Sequence, residues 1–441
     1  MIKVITYGTY DMLHFGHINL LKRAKALGDY LIVGVTADDL DKIRGKINVQ
    51  QSLMTRIEAV RATGIADEIV IEEYEGQKID DIKRYDVDIF TVGSDWTGKF
   101  DYLNEYCKVV YLPRTKGISS SELREHQRSI SIGLAGDSVF LNKIISESSY
   151  VNGLRIQAVY SSNLVSLHLD SEDPPLFETD FEQMLKHVDA VYLRTTPEEH
   201  YKQIKLALHS GKHVLCESPL VLRSSEQEEL QELANEKGLV LMEAIKTAYA
   251  TAYRRLLLLL KEGVIGDVIS VDATCTSLVS ENSPYEWDCL FEWGPTALLP
   301  LFDILGIDYL TSNTVVRYLD DLHKSTGFIK TDFVYPHAVA SIKIGNSIKS
   351  EGELIISGTK GYVYIPSPWW KTDYFEVRFE NQSENKRYFY QLEGEGIRYE
   401  LVAFLRAIES GRDFSNIDQN VTQGISKFIE NFYNKNNLIS I

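Results

Sequence analysis

The segment GTYDMLHFGHINLLKRA, residues 8–24, decides the fold of the first part of this sequence. It follows an apolar run, IKVITYG (2–8), that predicts a buried strand, and it continues into an amphipathic helical pattern. His14 and His17 flank the point where the helix is predicted to begin, and Gly16 lies between them. A helix N-terminus attracts anions, and a glycine lets a ligand approach the backbone. The segment therefore predicts a turn that grips phosphate groups.

A second segment, VVYLPRTKGISSSEL (109–123), has the same order of parts. A strand is followed by a basic turn and by a helix that opens on serines, which are favoured helix caps. Arg114 and Thr115 can reach phosphate oxygens, and Gly117 permits close approach of the backbone. Taken alone, the first segment also fits two surface histidines at a helix start, and the second fits an ordinary capped helix. Together they predict a phosphate cradle at the ends of two strands of one sheet.

Short apolar runs alternate with helical patterns through the first half of the chain. DYLIVGVT (29–36) and DIFTVGS (88–94) are apolar without alternation, which is typical of parallel strands covered by helices on both faces. A second unit of the same kind begins at RSISIGLAG (128–136). After about residue 245, period-2 alternation, as in VISVDATCTS (268–277), predicts an open antiparallel sheet. The predicted fold class is α/β, with three domains at residues 1–126, 127–245 and 246–441.

Composition excludes several classes of function. The net charge of −17 over 441 residues argues against a nucleic-acid-binding surface, and it requires a local basic cluster wherever an anionic substrate binds. The four cysteines form no CxxC pair, which favours reduced thiols over a disulfide frame or a metal site. The chain starts directly with a predicted strand, and its longest apolar run is far too short to span a membrane. We therefore expect a cytoplasmic protein without a signal peptide or a metal site of its own.

The stretch from Met1 to about Glu125 resembles the glycerol-3-phosphate cytidylyltransferases, a family of HxGH nucleotidyltransferases. The resemblance rests on four segments in order and at matching spacing: GTYDMLHFGH, ALGDYLIVGVTAD, VGSDWTGKFDYL and YLPRTKGIS. It implies a Rossmann-like domain that couples CTP to glycerol 3-phosphate or a related polyol phosphate, with Mg²⁺ on the triphosphate. It also implies a place in teichoic-acid-like or capsular polymer synthesis.

The same resemblance assigns the site residues. It implies catalytic roles for His14, His17, Lys46 and Arg114. It implies that CTP is held by Thr9, Tyr10, His14, Gly16, His17, Lys46, Asp95, Arg114, Thr115, Gly117, Ile118, Ser119 and Ser120. Arg44 and Lys78 would hold the phosphate of the incoming alcohol. For Lys46 and Lys78 the alternative of solvated surface residues stays open, since both lie among acidic or polar neighbours.

From about Ser129 onward the chain resembles the Gfo/Idh/MocA oxidoreductases, which pair a dinucleotide-binding Rossmann domain with an antiparallel α/β domain. The segments that carry this resemblance are residues 188–220, 242–268 and 351–368. The resemblance implies that Gly133, Gly136 and Glu217 contact NAD(P). Both resemblances imply at least a dimer.

Three departures separate this half from that pattern. The glycine turn is interpreted as beginning at Gly133, so that Ala135 replaces its second glycine and Asp137 adds a negative charge. The next strand ends in Tyr160-Ser161-Ser162, without the acid that binds a ribose. In Glu217-Ser218-Pro219 a serine replaces the lysine of the family's E-K-P proton donor.

Two hypotheses follow for this half. In the first it has lost hydride chemistry and serves to dimerise the protein or to hold a ligand; a site without its acid is normally inactive. In the second it is a reductase of altered specificity that makes the polyol phosphate used by the first domain. A third interpretation, a scaffold without turnover, conflicts with the intact HFGH and RTKGIS segments.

Overall fold

The computed structural model describes residues 1–13, 15–37, 40, 49, 51–74, 76–113, 130–137, 140–151, 153–161, 174–278, 287–321, 325–390, 392, 394–411 and 413–441, with Asp95 as backbone alone. The chain divides into two compact units, residues 1–129 and 130–441. All four cysteines are free thiols. No helix in the described ranges is long and apolar enough to cross a membrane.

The first unit is built on five parallel strands in the order β3-β2-β1-β4-β5. The strands are β1 (Lys3–Gly8), β2 (Tyr30–Thr36), β3 (Glu68–Glu72), β4 (Ile89–Gly93) and β5 (Lys108–Leu112). The helices are α1 (Phe15–Lys25), α2 (Leu53–Ala62) and α3 (Gln77–Tyr85), with 3₁₀ turns at Ser94–Trp96 and Asp101–Glu105.

Helices cover both faces of this sheet, as its apolar strands require. One core joins Val4, Leu31 and Val33 to buried residues of α1 and α2. The other joins Ile5 and Phe90 to α3 and to the turn after β4. The connections after β1 and β4 therefore leave on opposite faces, which opens a crevice at the carboxyl ends of these two neighbouring strands. Ligands of open α/β sheets bind in such crevices.

The second unit contains a six-stranded parallel sheet in the order β11-β10-β9-β6-β7-β8. Its strands are β6 (Ile130–Ala135), β7 (Leu154–Tyr160), β8 (Leu176–Glu178), β9 (Ala190–Leu193), β10 (His213–Glu217) and β11 (Leu241–Ala244). Its helices are α4 (Leu141–Ser148), α5 (Phe181–Leu185), α6 (Pro197–His209), α7 (Ser224–Lys237), α8 (Lys246–Tyr249) and α9 (Thr251–Lys261).

A nine-stranded sheet completes this unit, in the order β19-β18-β17-β16-β12-β15-β14-β13-β20. Its strands are β12 (Val268–Thr276), β13 (Thr311–Tyr318), β14 (Thr326–Val334), β15 (Val339–Gly345), β16 (Leu354–Gly358), β17 (Tyr362–Ile365), β18 (Tyr374–Arg378), β19 (Lys386–Phe389) and β20 (Leu438–Ser440). Three described helices lie between its strands in the chain: α10 (Cys289–Leu305), α11 (Ile397–Ser410) and α12 (Gln419–Tyr433).

The predicted α/β architecture, with parallel Rossmann-like sheets and a separate open sheet, is confirmed in its main lines. The open sheet is mixed rather than purely antiparallel, because β12 pairs with β15 and β13 pairs with β20 in parallel. Long crossovers make these pairs possible: α10, β13 and β14 lie between β12 and β15 in the chain. The division into three domains at residues 126 and 245 stays a prediction.

Candidate functional site

The loop after β1 is held in an uncommon backbone conformation. Tyr10 and Met12 have φ values of +53° and +48°, a region that residues other than glycine seldom adopt. Tyr10 is only 2% exposed, and its ring covers Gly8, where a Cβ atom would lie 2.9 Å from the Tyr10 Cζ. Such conformations persist only where the surroundings enforce them, and they concentrate at functional sites.

Arg56 of α2 is the main enforcing contact. Its side chain is fully buried, and its Nη1 donates to the carbonyl oxygens of Thr9 at 2.6 Å and Thr36 at 2.9 Å. These two carbonyls stand just beyond β1 and at the end of β2. One guanidinium therefore ties the loop after β1 to the neighbouring strand.

A second set of bonds fixes the same loop from the chain segment before α2. The Gln51 side chain accepts from the backbone N–H of Met12 at 2.9 Å. In return, the buried Asp11 carboxylate accepts from the backbone N–H of Gln51 at 2.9 Å. This reciprocal pair leaves the loop little freedom between Asp11 and Met12.

His17 lies in the first turn of α1, where the carboxyl edge of the sheet meets the helix N-terminus. Its ring meets the edge of the Tyr10 ring, with centroids 5.6 Å apart. Burial raises the pKa of the Tyr10 hydroxyl, so this phenol stays neutral and can act as a donor. Thr9, Tyr10, Gly16 and His17 are thus gathered between β1 and α1, as the sequence predicts; His14 lies outside the described residues.

Lys78 is buried at the same edge of the sheet. It is 5% exposed, and its ammonium is hydrogen-bonded to the carboxylate of Glu72 at the end of β3. Its Nζ lies 4.7 Å from the centre of the Tyr7 ring, and Glu72 accepts a second bond, from Thr36 Oγ1, at 2.9 Å. The alternative that Lys78 is a solvated surface residue is therefore wrong. Its predicted contact with the alcohol phosphate stays a prediction.

Tyr7 continues this buried network on β1. Its hydroxyl donates to Asp81 at 2.8 Å, and Asp81 also accepts from Gln77 at 3.1 Å. Burial, reinforced by the Asp81 charge, raises the pKa of Tyr7. The network holds the ring against which the Lys78 ammonium rests.

The remaining predicted residues of the first unit are only partly placed. Asp95 belongs to the 3₁₀ turn directly after β4, at the carboxyl edge of the sheet. Arg23 of α1 donates to the carbonyl of Pro113 at 2.6 Å, so the chain enters the predicted basic turn beside α1. Other predicted residues lie outside the described ranges: Arg44, Lys46, Arg114, Thr115, Gly117, Ile118, Ser119 and Ser120.

In the second unit the glycine turn lies three residues later than the sequence interpretation placed it. Gly133 is inside β6, and a Cβ there would lie 2.9 Å from the Met184 Sδ, so this glycine makes room for α5. Gly136 ends the strand with φ +145°, and a Cβ there would lie 2.3 Å from the Arg194 carbonyl oxygen. Placing Gly133 in the turn is therefore wrong, because close packing and not a ligand explains that residue.

The loop after Gly136 is bonded to the end of β7. Asp137 accepts a hydrogen bond from Ser161 Oγ at 2.8 Å, and Ser161 is 2% exposed. In a dinucleotide-binding sheet an acid at the end of this strand binds the ribose. Here the acid stands on the glycine turn and the strand end supplies a hydroxyl that binds it.

Glu217 and Ser218 are turned inward at the end of β10. The Glu217 carboxylate accepts from the Tyr192 hydroxyl, and Ser218 Oγ donates to the buried carboxylate of Glu243. Burial raises the pKa of Glu217, and the nearby Arg194 opposes that shift. Ser218 is 7% exposed. The residue at the position of the family's proton donor is therefore buried and makes a structural hydrogen bond.

Comparison with known proteins identifies the first unit. The cytidylyltransferase-like family profile matches residues 5–126. Glycerol-3-phosphate cytidylyltransferase of Bacillus spizizenii is 46% identical over 130 residues, which is 30% of this chain and 100% of that protein. The enzyme of the same name from Staphylococcus aureus is 45% identical over 129 residues, 28% of this chain and 94% of that protein.

The chain belongs to the cytidylyltransferase-like family. It is an enzyme, a nucleotidyltransferase, and the crevice between β1 and β4 is its candidate active site.

The second unit of this cytidylyltransferase-like protein carries an oxidoreductase fold. The profile of an oxidoreductase family with an NAD-binding Rossmann fold matches residues 132–245. A 3-ketoreductase from Actinomadura kijaniata, crystallised with NADP and TDP-benzene, superposes with a TM-score of 0.63. It covers 71% of this chain and 100% of its own at 18% identity, which establishes the fold alone.

Sequence reasoning missed Arg56, Glu72 and the Asp11–Gln51 pair. Arg56 looks like an ordinary charged residue of a surface helix. Its spacing from Leu53 and Val60 nevertheless places it on the buried side of α2, and a charge in an apolar stripe signals a buried partner. The Asp11–Gln51 contact spans forty residues of sequence, and no local pattern indicates it.

Proposed function

We propose that the first unit transfers the cytidylyl group of CTP to glycerol 3-phosphate, giving CDP-glycerol and pyrophosphate. The observation that carries this proposal is the match to glycerol-3-phosphate cytidylyltransferases over 94% to 100% of their length. The site geometry supports it, because the preformed loop after β1 and the start of α1 offer donors where a triphosphate would bind.

The chemistry needs no covalent intermediate. A phosphate oxygen of glycerol 3-phosphate attacks the α-phosphorus of CTP, the bond to the β-phosphate breaks, and pyrophosphate leaves with the electron pair. The phosphate dianion is already a nucleophile at neutral pH, so positioning and charge neutralisation supply the catalysis. His17 and the helix N-terminus stabilise charge on the reacting phosphates, and Thr9 and Tyr10 shape their pocket. Mg²⁺ enters with CTP as part of the substrate.

A substrate panel tests this proposal. Purified full-length protein is given CTP, ATP or GTP with Mg²⁺ and with glycerol 3-phosphate, glycerol 2-phosphate or longer polyol phosphates, and pyrophosphate release is followed. We expect turnover with CTP and glycerol 3-phosphate, and a fall of about 10²–10³-fold in His17→Ala, the effect of losing a transition-state donor. Lys22→Ala, an exposed residue of the same helix, is the control. Equal rates with ATP, or full activity of His17→Ala at saturating CTP, would contradict the assignment.

For the second unit we propose that hydride transfer has been lost. Ser218 is engaged with Glu243, and the Asp137 carboxylate stands on the glycine turn, where a pyrophosphate would be repelled. Calorimetry should then detect no NAD(P)H binding at micromolar concentrations. Micromolar binding together with oxidation of NAD(P)H by a triose or ketose phosphate would make the protein bifunctional instead.

We further propose that the protein works in the cytoplasm as a dimer or higher oligomer and feeds CDP-glycerol to a polymer such as teichoic acid. The four free thiols fit a reducing compartment. Two exposed apolar residues that pair across β14 and β15, Val334 and Val339, offer a face for a second copy.

A further inference from the structure

Three lysine side chains of the second unit meet at one carboxylate oxygen. The ammonium groups of Lys143 and Lys246 lie 3.5 Å and 3.3 Å from Glu395 Oε2, and Lys371 donates to the same oxygen. Among the residues that the structure describes, Glu395 is the one carboxylate in salt-bridge contact with any of the three. One negative charge therefore faces three positive charges.

The lysine cluster, defined as Lys143, Lys246 and Lys371, is assembled from three separate elements. Lys143 stands on α4, Lys246 begins α8, and Lys371 ends the 3₁₀ turn Trp369–Lys371. Thr247 Oγ1 donates to the carbonyl of Trp370 at 3.1 Å and so joins the elements that carry the last two lysines.

Further buried contacts fix the carboxylate among them. Glu395 lies between Gly394 and Gly396, which have φ values of +59° and +83° and lead directly into α11. The start of α11 is bound to α4 by a buried ion pair, in which Arg398 donates to Glu147 at 2.9 Å and 3.0 Å. The fold therefore holds the three lysines and Glu395 close together.

Two further acids, Glu217 and Glu400, act on Lys246 from further away, and burial raises the pKa of both carboxyls. Burial and the Lys371 charge lower the pKa of Lys246. Burial acts to raise the pKa of Glu395, but the three lysines outweigh it and hold that pKa down to about 2. Counted over the three lysines and Glu395 alone, two positive charges are in excess, in a protein whose net charge is −17.

The surroundings are partly open and aromatic. The exposed fractions of Lys143, Lys246 and Lys371 are 46%, 20% and 32%, so a small ligand can reach all three. The Phe140 ring lies 5.7 Å from the ammonium groups of both Lys143 and Lys246, within cation–π distance of each.

We propose that the lysine cluster binds a phosphate dianion carried by a small molecule. Two excess positive charges match the charge of a phosphate monoester, and a lysine ammonium binds phosphate as a compact point charge with three donors. Glu395 is the internal anion of this site and competes with the ligand for the three lysines. The site requires neither hydride transfer nor cytidylyl transfer.

Titration calorimetry of the full-length protein at about 0.02 M ionic strength, where charge pairs are weakly screened, tests the proposal. Inorganic phosphate, glycerol 3-phosphate and pyrophosphate are titrated separately, and the ligand that loses most affinity in Lys246→Met identifies the carrier of the phosphate group. Lys246→Met and Lys371→Met should weaken binding by about tenfold or more, because each removes a charge-assisted contact. Glu395→Gln should strengthen it several-fold, since that change removes the competing anion. Lys205→Met, which breaks an exposed pair with Glu229 in the same unit, is the matched control.

The first unit is also expected to bind phosphate groups, so the two sites are separated by a crossed comparison. Binding that is lost in Lys246→Met and kept in His17→Ala belongs to the lysine cluster. Binding that is kept in Lys246→Met and lost in His17→Ala belongs to the first unit and overturns the proposal. Unchanged or weaker binding in Glu395→Gln also overturns it, and that variant keeps the test valid should Lys246→Met fail to fold.

Discussion

Arg56 brings a permanent positive charge into the interior of the first unit. Its nearest described acceptors are backbone carbonyl oxygens, at Thr9, Thr36 and, through Nε, Gln51 at 3.2 Å. Carbonyls at the carboxyl end of a strand have no further strand partner, and burial without a donor would be costly. A guanidinium suits this place because its donors are arranged as a rigid fork, whereas a lysine offers a single centre.

We expect Arg56→Met to destabilise the first unit by on the order of 3 kcal/mol, since it leaves buried carbonyls without donors. At temperatures where the variant is folded, kcat/KM for CTP should fall about tenfold to a hundredfold, because the loop at Thr9 loses its brace. Chemical unfolding and pyrophosphate assays measure the two effects. Arg61→Met, on the exposed side of the same helix, should change neither; a loss of similar size in that variant would remove the special role of Arg56.

Asp303 of α10 gives the second unit a pH dependence. It accepts a hydrogen bond from Tyr253 at 2.7 Å, and burial raises the pKa of its carboxyl from 3.8 to about 6, against the smaller influence of Tyr253 and Lys261. Between pH 3.8 and about 6, the folded state therefore binds more protons than the unfolded state. The free energy of unfolding should therefore fall as pH rises from about 4 to about 6, by about 3 kcal/mol in total.

Asp303→Asn keeps an acceptor for Tyr253 and should abolish this fall. Denaturant unfolding of the two proteins at pH 4 and pH 7, followed by tryptophan fluorescence, gives the comparison. The exposed Asp332→Asn serves as control. The interpretation fails should wild type and Asp303→Asn show the same difference between the two pH values.

At the scale of elements, the β6 strand shows what sequence alone can and cannot place. The strand, its parallel neighbours and the glycine-containing turn are all predictable from the run RSISIGLAG. The sequence does not show which glycine makes the turn, because the choice between Gly133 and Gly136 depends on where the strand ends. That end is set by pairing: Ala135 still pairs with Tyr160 and Leu193, so the turn starts after it.

The two glycines should respond differently to the same substitution. Gly136→Ala places a Cβ 2.3 Å from a backbone oxygen at a positive φ, and we expect a loss of more than about 2 kcal/mol in unfolding free energy. Gly133→Ala meets the flexible end of Met184 and should cost about 1 kcal/mol. Equal losses in denaturant unfolding would show that the turn does not begin at Gly136.

The nine-stranded sheet was predictable as an open sheet of alternating strands but not in its order. Alternation gives each strand a buried and an exposed face, yet says nothing of which strands are neighbours. The parallel pairing of β13 with β20 depends on the last residues of the chain returning past α12, a long-range choice made by packing. The same limit applies to the lysine cluster, whose three members are all more than a hundred residues apart in the sequence.

At the scale of the whole molecule, the first unit matches the Bacillus spizizenii enzyme over that enzyme's whole length. Within the described residues the two units share no sheet, and each has its own buried core. We therefore expect residues 1–129 alone to fold and to keep measurable cytidylyl transfer.

The truncated protein also tests what the second unit contributes. Its kcat/KM for CTP is compared with that of the full chain in the pyrophosphate assay, and light scattering compares the mass of the two in solution. We expect activity to remain and the oligomeric state to change. A folded but inactive fragment would mean that the second unit completes the active site.

The strained loop at Tyr10 and Met12 has a consequence for the timing of nucleotide capture. Positive φ at two such residues costs on the order of 1–3 kcal/mol each, and Arg56, Gln51 and Asp11 hold the loop there through bonds within the chain itself. This segment therefore loses its conformational entropy when the chain folds, and nucleotide binding does not have to order it again. We therefore expect the rate of nucleotide capture at these residues to be set by diffusion and charge and not by closure of the loop.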